Sequence, residues 1–176
     1  MFETLISKLQ EDKYLTLETT PQHEPSMHNI VEKIKKFKID SKVDGFTCTD
    51  NPLAKLKYNS LFAALKLQQE FKKPVIATMT MRDRNKIALQ SDLLGANDFD
   101  IRAILALTGD PANMSDQPNS KGVFEANSLM LLKMIKSFNY GMDFAGRPFK
   151  IEPKQIFPFA VVNAYAKNFG SLEKKM

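Results

Sequence analysis

The sequence predicts an α/β protein, a parallel sheet wrapped in helices, and two observations carry that prediction. Five short apolar runs punctuate the chain, at residues 14–18, 43–48, 74–80, 101–107 and 157–162, and the stretches between the first four repeat apolar residues at helical spacing. The first four runs also begin about 30 residues apart, the length of one strand–helix unit. Alternation at that period is the pattern of a parallel sheet with crossover helices.

The elements follow in order. ETLISKLQ (3–10) reads as a short helix closing the bottom of the sheet, and YLTLE (14–18) as the first strand. Ile30, Val31, Ile34 and Phe37 share one face of the next helix, and VDGFTC (43–48) is the second strand. Leu61, Leu65 and Phe71 anchor a second helix before the third strand, PVIATMT (74–80). Ile87, Leu89, Leu93 and Leu94 anchor a third helix before the fourth, IRAILAL (101–107). A polar loop then runs to about Lys121, followed by a helix from around Phe124 to Phe138. NYGMDFAGRPFKIEPKQ (139–155), rich in Gly, Pro and charge, reads as an elaborated connection with a small hairpin rather than a domain boundary. It leads into the fifth strand, FPFAVV (157–162).

Composition narrows the function classes. At 176 residues, 43% apolar and 26% charged, the chain is long enough for one sizeable core and has the make-up of a soluble globular protein. No apolar run approaches the roughly 20 residues of a membrane span, and the N-terminus lacks a cleavable signal pattern. The single cysteine, Cys48, excludes an internal disulfide and suits a reducing, cytoplasmic setting. The net charge of +5 comes largely from lysines scattered over helical faces, as in KIKKFK and LEKKM. No aromatic residues interleave with them in a recognisable binding module, so a solvated surface explains them better than a nucleic-acid interface.

Polar residues collect where such folds bind ligands, at the carboxyl ends of the strands. The runs end in Glu18-Thr19-Thr20-Pro21, Thr47-Cys48-Thr49-Asp50-Asn51-Pro52, Thr78-Met79-Thr80-Met81-Arg82-Asp83-Arg84, Thr108-Gly109-Asp110-Pro111 and Asn163-Ala164-Tyr165. Asp50 fits a turn or helix cap better than a ligand group. Arg82-Asp83-Arg84 reads equally well as a surface ion-pair cluster opening a helix or as part of a site. Glu18, after three strand residues, is expected to be partly buried, and burial favours the protonated form of a carboxyl group and suits it to proton donation. His23 and His28 lack a spaced partner set for a metal, and there is no nucleophile elbow, GxGxxG or Walker loop.

The stretch MRDRNKIALQSDLLGANDFDIRAILALTGDPA (81–112) resembles the corresponding segment of methylenetetrahydrofolate reductases, nearest the branch found as the reductase half of bifunctional homocysteine methyltransferase/reductase proteins. LETTP (17–21), GFTCTDN (45–51) and FAVVNAY (159–165) resemble that family's first, second and fifth strand motifs, in the same order. The resemblance implies a TIM (β/α)8 barrel that holds FAD at the carboxyl ends of its strands. It implies NADH or NADPH as reductant and 5,10-methylenetetrahydrofolate as the substrate reduced to 5-methyltetrahydrofolate. It gives Glu18 the role of proton donor at the folate ring and places Asp110 beside the flavin's pyrimidine edge, where it also binds the pterin. Thr47, Thr78, Thr108, Gly109 and Tyr165 match positions that line the flavin. Three positions depart from the family pattern: Thr78 stands for a histidine, Thr108 for an arginine, and Gln22 for a second proline.

A full barrel takes about 250 residues, so residues 1–176 read as its N-terminal five βα units, a partial barrel ending after strand five. Such an open sheet is expected to pair through its exposed edge, with another copy or another chain. Two further readings stay open from the sequence. One is a catalytically incomplete pterin- or flavin-binding half-barrel serving as a binding or assembly module; the other is an unrelated phosphate-handling barrel enzyme.

Overall fold

A computed structural model describes residues 2–11 and 13–161. The elements run α1 (Phe2–Gln10), β1 (Thr16–Thr19), α2 (His28–Lys36), β2 (Gly45–Cys48), α3 (Ser60–Phe71), β3 (Val75–Thr80), α4 (Lys86–Asp98), β4 (Ala103–Leu107), α5 (Ser128–Asn139) and β5 (Phe157–Ala160). The five strands form one parallel sheet in the order β1-β2-β3-β4-β5, as the spacing of the apolar runs predicts. Sequential order with helical crossovers winds the sheet in one sense and puts the crossover helices on one face. Among the described residues this is five units of a TIM-barrel arrangement with an open sheet whose edges are β1 and β5. Pro158, which has no N–H to offer a further strand, lies on the β5 edge.

The two faces are covered differently. On the outer face Phe46, Cys48, Val75, Ala77, Met79, Ile104 and Ala106 pack against Val31 and Ile34 of α2, Ala63, Ala64 and Leu67 of α3, Leu89 and Leu93 of α4, and Leu131 and Ile135 of α5. Among the described residues, helix α1 covers the amino end of the concave face. There α1 lays Leu5 against Ile76 and Ala103, with Phe2, Leu9 and Tyr14 around them, closing the bottom as the sequence predicts. Lys8 Nζ, 2.6 Å from Asp44 Oδ1, and the Arg102 guanidinium, 4.1 Å over the Phe2 ring, hold α1 there. Asparagine caps begin three of the crossover helices: the Oδ1 atoms of Asn59, Asn85 and Asn127 accept from Leu61 N, Ala88 N and Leu129 N.

Several apolar assignments need correction. Phe37 lies beyond the end of α2 and is exposed, and Ile87 and Leu94 face solvent from α4, whose core contacts are Leu89 and Leu93. In α3 the small residues Ala63 and Ala64 with Leu67 form the packed stripe, while Leu61, Leu65 and Phe71 flank it half-buried. Close approach of helix to sheet selects the small side chains, which periodicity of large residues does not reveal. The helix expected from Phe124 begins at Ser128; Phe124 is in the preceding loop with φ +37°. The connection after α5 does hold a small hairpin, an antiparallel bridge between Met142 and Pro148.

Candidate functional site

Alternation along the strands decides which side chains reach the concave face. Leu17 packs into the outer core, and Thr19 donates from Oγ1 to Thr47 O and lies 3.4 Å from Cys48 Sγ, so Thr16 and Glu18 project the other way. The strand register aligns Glu18 with Thr47, Ile76, Ala103 and Phe157 in one row across the concave face. Thr78, Leu105 and Phe159 form the next row, and Thr80 and Leu107 the one above. The face is therefore a mixture of hydroxyl and apolar side chains.

Glu18 is exposed rather than partly buried. The reason is architectural: α1 covers the amino end of the concave face, and no described element lies opposite β1 near its carboxyl end. Thr47 is half-buried beside it, and Thr78 is buried. Asp110 lies half-buried three residues past β4, where Oδ2 accepts from Leu53 N at 2.6 Å and Oδ1 has no partner among the described residues. Gly109 has φ +96°, and a Cβ there would sit 3.0 Å from Arg82 Cβ and 3.2 Å from Thr80 Cβ, so this turn lies directly against the end of β3. The Thr108 hydroxyl is turned to α5, accepting from Ser128 N at 3.2 Å, and helps start that helix. Tyr165 lies outside the described residues.

Glu18 and Asp110 thus belong to the same carboxyl-terminal rim without touching. Three strand spacings of about 4.8 Å separate β1 from β4, roughly 14 Å across the sheet. A ligand addressing both carboxylates must lie along the face. At the β1 end, Thr20 to Glu24, Asn29 and Lys57 line an open polar cleft of about 490 Å³. A second groove of about 210 Å³, lined by Leu61, Phe62, Leu65, Gly95 and Phe99, lies between α3 and α4 on the outer helical layer.

The rim is also braced by buried charges at the ends of β2 and β3. Asp50 is buried and caps nothing: Oδ2 accepts from Thr80 N and Thr80 Oγ1 at 2.9 Å each and from Arg84 Nη1 at 2.6 Å. Arg84 also donates from Nε to Asp92 Oδ2 at 2.8 Å. Burial works against the Arg84 charge, but Asp50 and then Asp92 outweigh it and hold its pKa above the usual value. Arg82 is 2% exposed, so the Arg-Asp-Arg cluster is an ion-pair cluster with buried arginines, not a surface one. Its guanidinium forks onto Asp83, Nε to Oδ1 at 2.8 Å and Nη2 to Oδ2 at 2.6 Å, and Nη2 also reaches Asn51 O at 3.0 Å. The hydrogen bonds to Asp83 raise the arginine's pKa against desolvation, helped by the charges of Asp50 and Asp110. Burial pushes the Asp83 carboxyl up, yet Arg82 and Arg84 bring it below its ordinary value. A period-two signal for these residues does exist: Thr78, Thr80 and Arg82 continue one face of β3 past its end.

Among the described residues no group of three His, Cys, Asp or Glu is placed to hold a metal ion, and no helix is long and apolar enough to cross a membrane. The parallel sheet wound in one sense, with hydroxyls and carboxylates at its carboxyl rim, is a partial barrel of the TIM type. A model of the methylenetetrahydrofolate reductase family matches residues 3–153, and the chain belongs to that family. Membership brings a methylenetetrahydrofolate reductase-type function, an oxidoreductase chemistry on folate. No curated protein matches the chain.

Proposed function

We propose that this protein takes part in flavin-dependent reduction of 5,10-methylenetetrahydrofolate to 5-methyltetrahydrofolate, with NADH or NADPH as the electron source. The observation that carries the reading is the concave face itself: rows of Thr47, Ile76, Thr78 and Leu105 running up to a rim that bears Glu18 and Asp110. A flat, amphipathic ring system fits such a surface. Leu105 and Phe159, both half-buried, offer apolar contact, while Thr47 and Asp110 Oδ1 offer partners for a hydrogen-bonding edge. The chemistry FAD would supply there is hydride transfer from the nicotinamide to the folate.

The chain's own residues do the rest. Opening the five-membered folate ring leaves a basic nitrogen that needs a proton, and Glu18 is the acid on this face. Glu18 is exposed on this face and so is open to a ligand that lies along it. Asp110 keeps an oxygen for the pterin's amino edge while Leu53 N–H fixes the other.

In the intact enzyme, Glu18→Gln removes the proton donor and keeps the shape. Folate reduction should fall by at least ~10²-fold, while reduction of bound flavin by NAD(P)H stays near the wild-type rate. Survival of both half-reactions would overturn the role of Glu18. Protein that takes up no added FAD, followed by its visible absorbance, would favour the binding-module reading instead.

A further inference from the structure

The turn after β2 is held in an unusual backbone. Asn51, Leu53 and Ala54 have φ values of +44°, +57° and +57°, a left-handed region that side chains other than glycine rarely occupy. Such conformations persist where neighbours hold them, and they gather at ligand sites. Here the holders are identifiable. Asp110 Oδ2 takes Leu53 N–H at 2.6 Å, Arg82 Nη2 reaches Asn51 O at 3.0 Å, and Asn51 Oδ1 takes Lys57 N–H at 2.8 Å.

Arg82 lies under both partners. Its side chain is buried, the Gly109 turn rests on its Cβ, and Asp110 is among the charges that stabilise its cation. Nη1 has no hydrogen-bond partner among the described residues. Asp83 grips the other two nitrogens and so fixes the guanidinium plane.

We propose that Arg82 is a positioning residue for Asp110: it fixes the left-handed turn that presents Leu53 N–H, and through it the orientation in which Asp110 meets the ligand. The charged groups around the pair are Asp50, Asp83 and Arg84, with Asp83 as the clamp. The catalytic consequence rests on the role proposed above for Asp110; the positioning itself does not.

The test reads the Leu53 amide resonance by NMR in the intact protein, beside steady-state kinetics. Asp110→Asn weakens the acceptor and should move that resonance upfield. Arg82→Lys, whose single ammonium cannot reproduce the fork, should move it the same way. The double variant should move it little further than Asp110→Asn alone, because the two act through one hydrogen bond. Arg82→Lys should also raise KM for the folate about fivefold or more, with NAD(P)H-to-flavin reduction within about twofold of wild type. An unmoved Leu53 resonance in Arg82→Lys, or additive shifts in the double variant, overturns the proposal. Should Arg82→Lys fail to fold, Asp83→Asn loosens the same clamp from a partly exposed position and must shift Leu53 likewise. Full folate turnover in Asp110→Asn would sink the role of Asp110 in the reaction while the Leu53 resonance still decides the positioning.

Discussion

Asp50 and Arg84 form a buried ion pair, Oδ2 to Nη1 at 2.6 Å, that joins the ends of β2 and β3 to helix α4. Its desolvation is offset because the same carboxylate oxygen takes Thr80 N and Oγ1, and the same guanidinium takes Asp92. Asp50→Ala leaves Arg84 buried with one partly exposed partner and frees Thr80 N–H. Breaking one side of such a pair costs about 3–5 kcal/mol. Urea unfolding should show the midpoint fall with the slope unchanged.

Gly109 is the second sensitive point on the rim. Its φ of +96° strains any L side chain, and an added Cβ would meet Arg82 Cβ at 3.0 Å and Thr80 Cβ at 3.2 Å. Gly109→Ala should therefore cost about 1–3 kcal/mol. The next residue is Asp110, so the Leu53 hydrogen bond should also loosen. Urea unfolding and amide exchange at Leu53 check the two effects separately; an Ala variant of unchanged stability would contradict the backbone geometry.

The strands and their order were legible because a strand buried on both sides, such as VIATMT, announces itself, and because four such runs keep one period. The N-terminal helix was legible for the same reason, since Leu5 and Leu9 lie four residues apart on one face. Helix faces were read less well: Ile87 and Leu94 are as apolar as Leu89 and Leu93 and differ only in what the fold sets opposite them. At the site, the residue types at the strand ends were visible, and their burial was not. Asp50 and Arg84 are buried because they meet each other across 34 positions, and Arg82, whose charge partner is the adjacent Asp83, also reaches across 31 positions to Asn51 O; periodicity encodes neither contact. Glu18 erred the other way. Its place in a strand suggested cover, but cover depends on what faces the strand.

Two groups give the fold an alkaline limit. Burial pushes the Cys48 thiol up to about 12, with a smaller opposing effect of its contact to Thr19, and burial followed by the Asp44 charge pushes Tyr14 up to about 12. Their ordinary values are 9.0 and 10.0, so the unfolded chain releases these protons first. Both contributions are complete below pH 9, decline above it, and are lost as pH rises through about 12. Each group can add a slope of up to about 1.4 kcal/mol per pH unit in that window. Unfolding free energies measured across it should fall for the wild type and fall less steeply for Cys48→Ala. Parallel curves would show that the thiol does not titrate differently on unfolding.

Stability and chemistry should separate along the strand axis, and Leu5 tests that separation. It is fully buried on the concave face at the amino end of the sheet, against Ile76 and Ala103, away from the turn that carries Asp110. Leu5→Ala removes three carbons from a closed contact and leaves a cavity between α1 and the sheet, at a cost of about 2–5 kcal/mol. None of the rim hydrogen bonds of Asp50, Arg82 or Asp110 involves α1, so the geometry at the carboxyl ends should persist in the molecules that stay folded. The expected outcome is a lowered urea midpoint with the folate and NAD(P)H rates of the folded enzyme within about twofold of wild type. A loss of folate turnover out of proportion to the folded fraction would mean that the bottom helix sets the spacing of the strands at the rim, and that the two ends of the sheet are coupled through Ile76 and the row that it shares with Glu18 and Thr47.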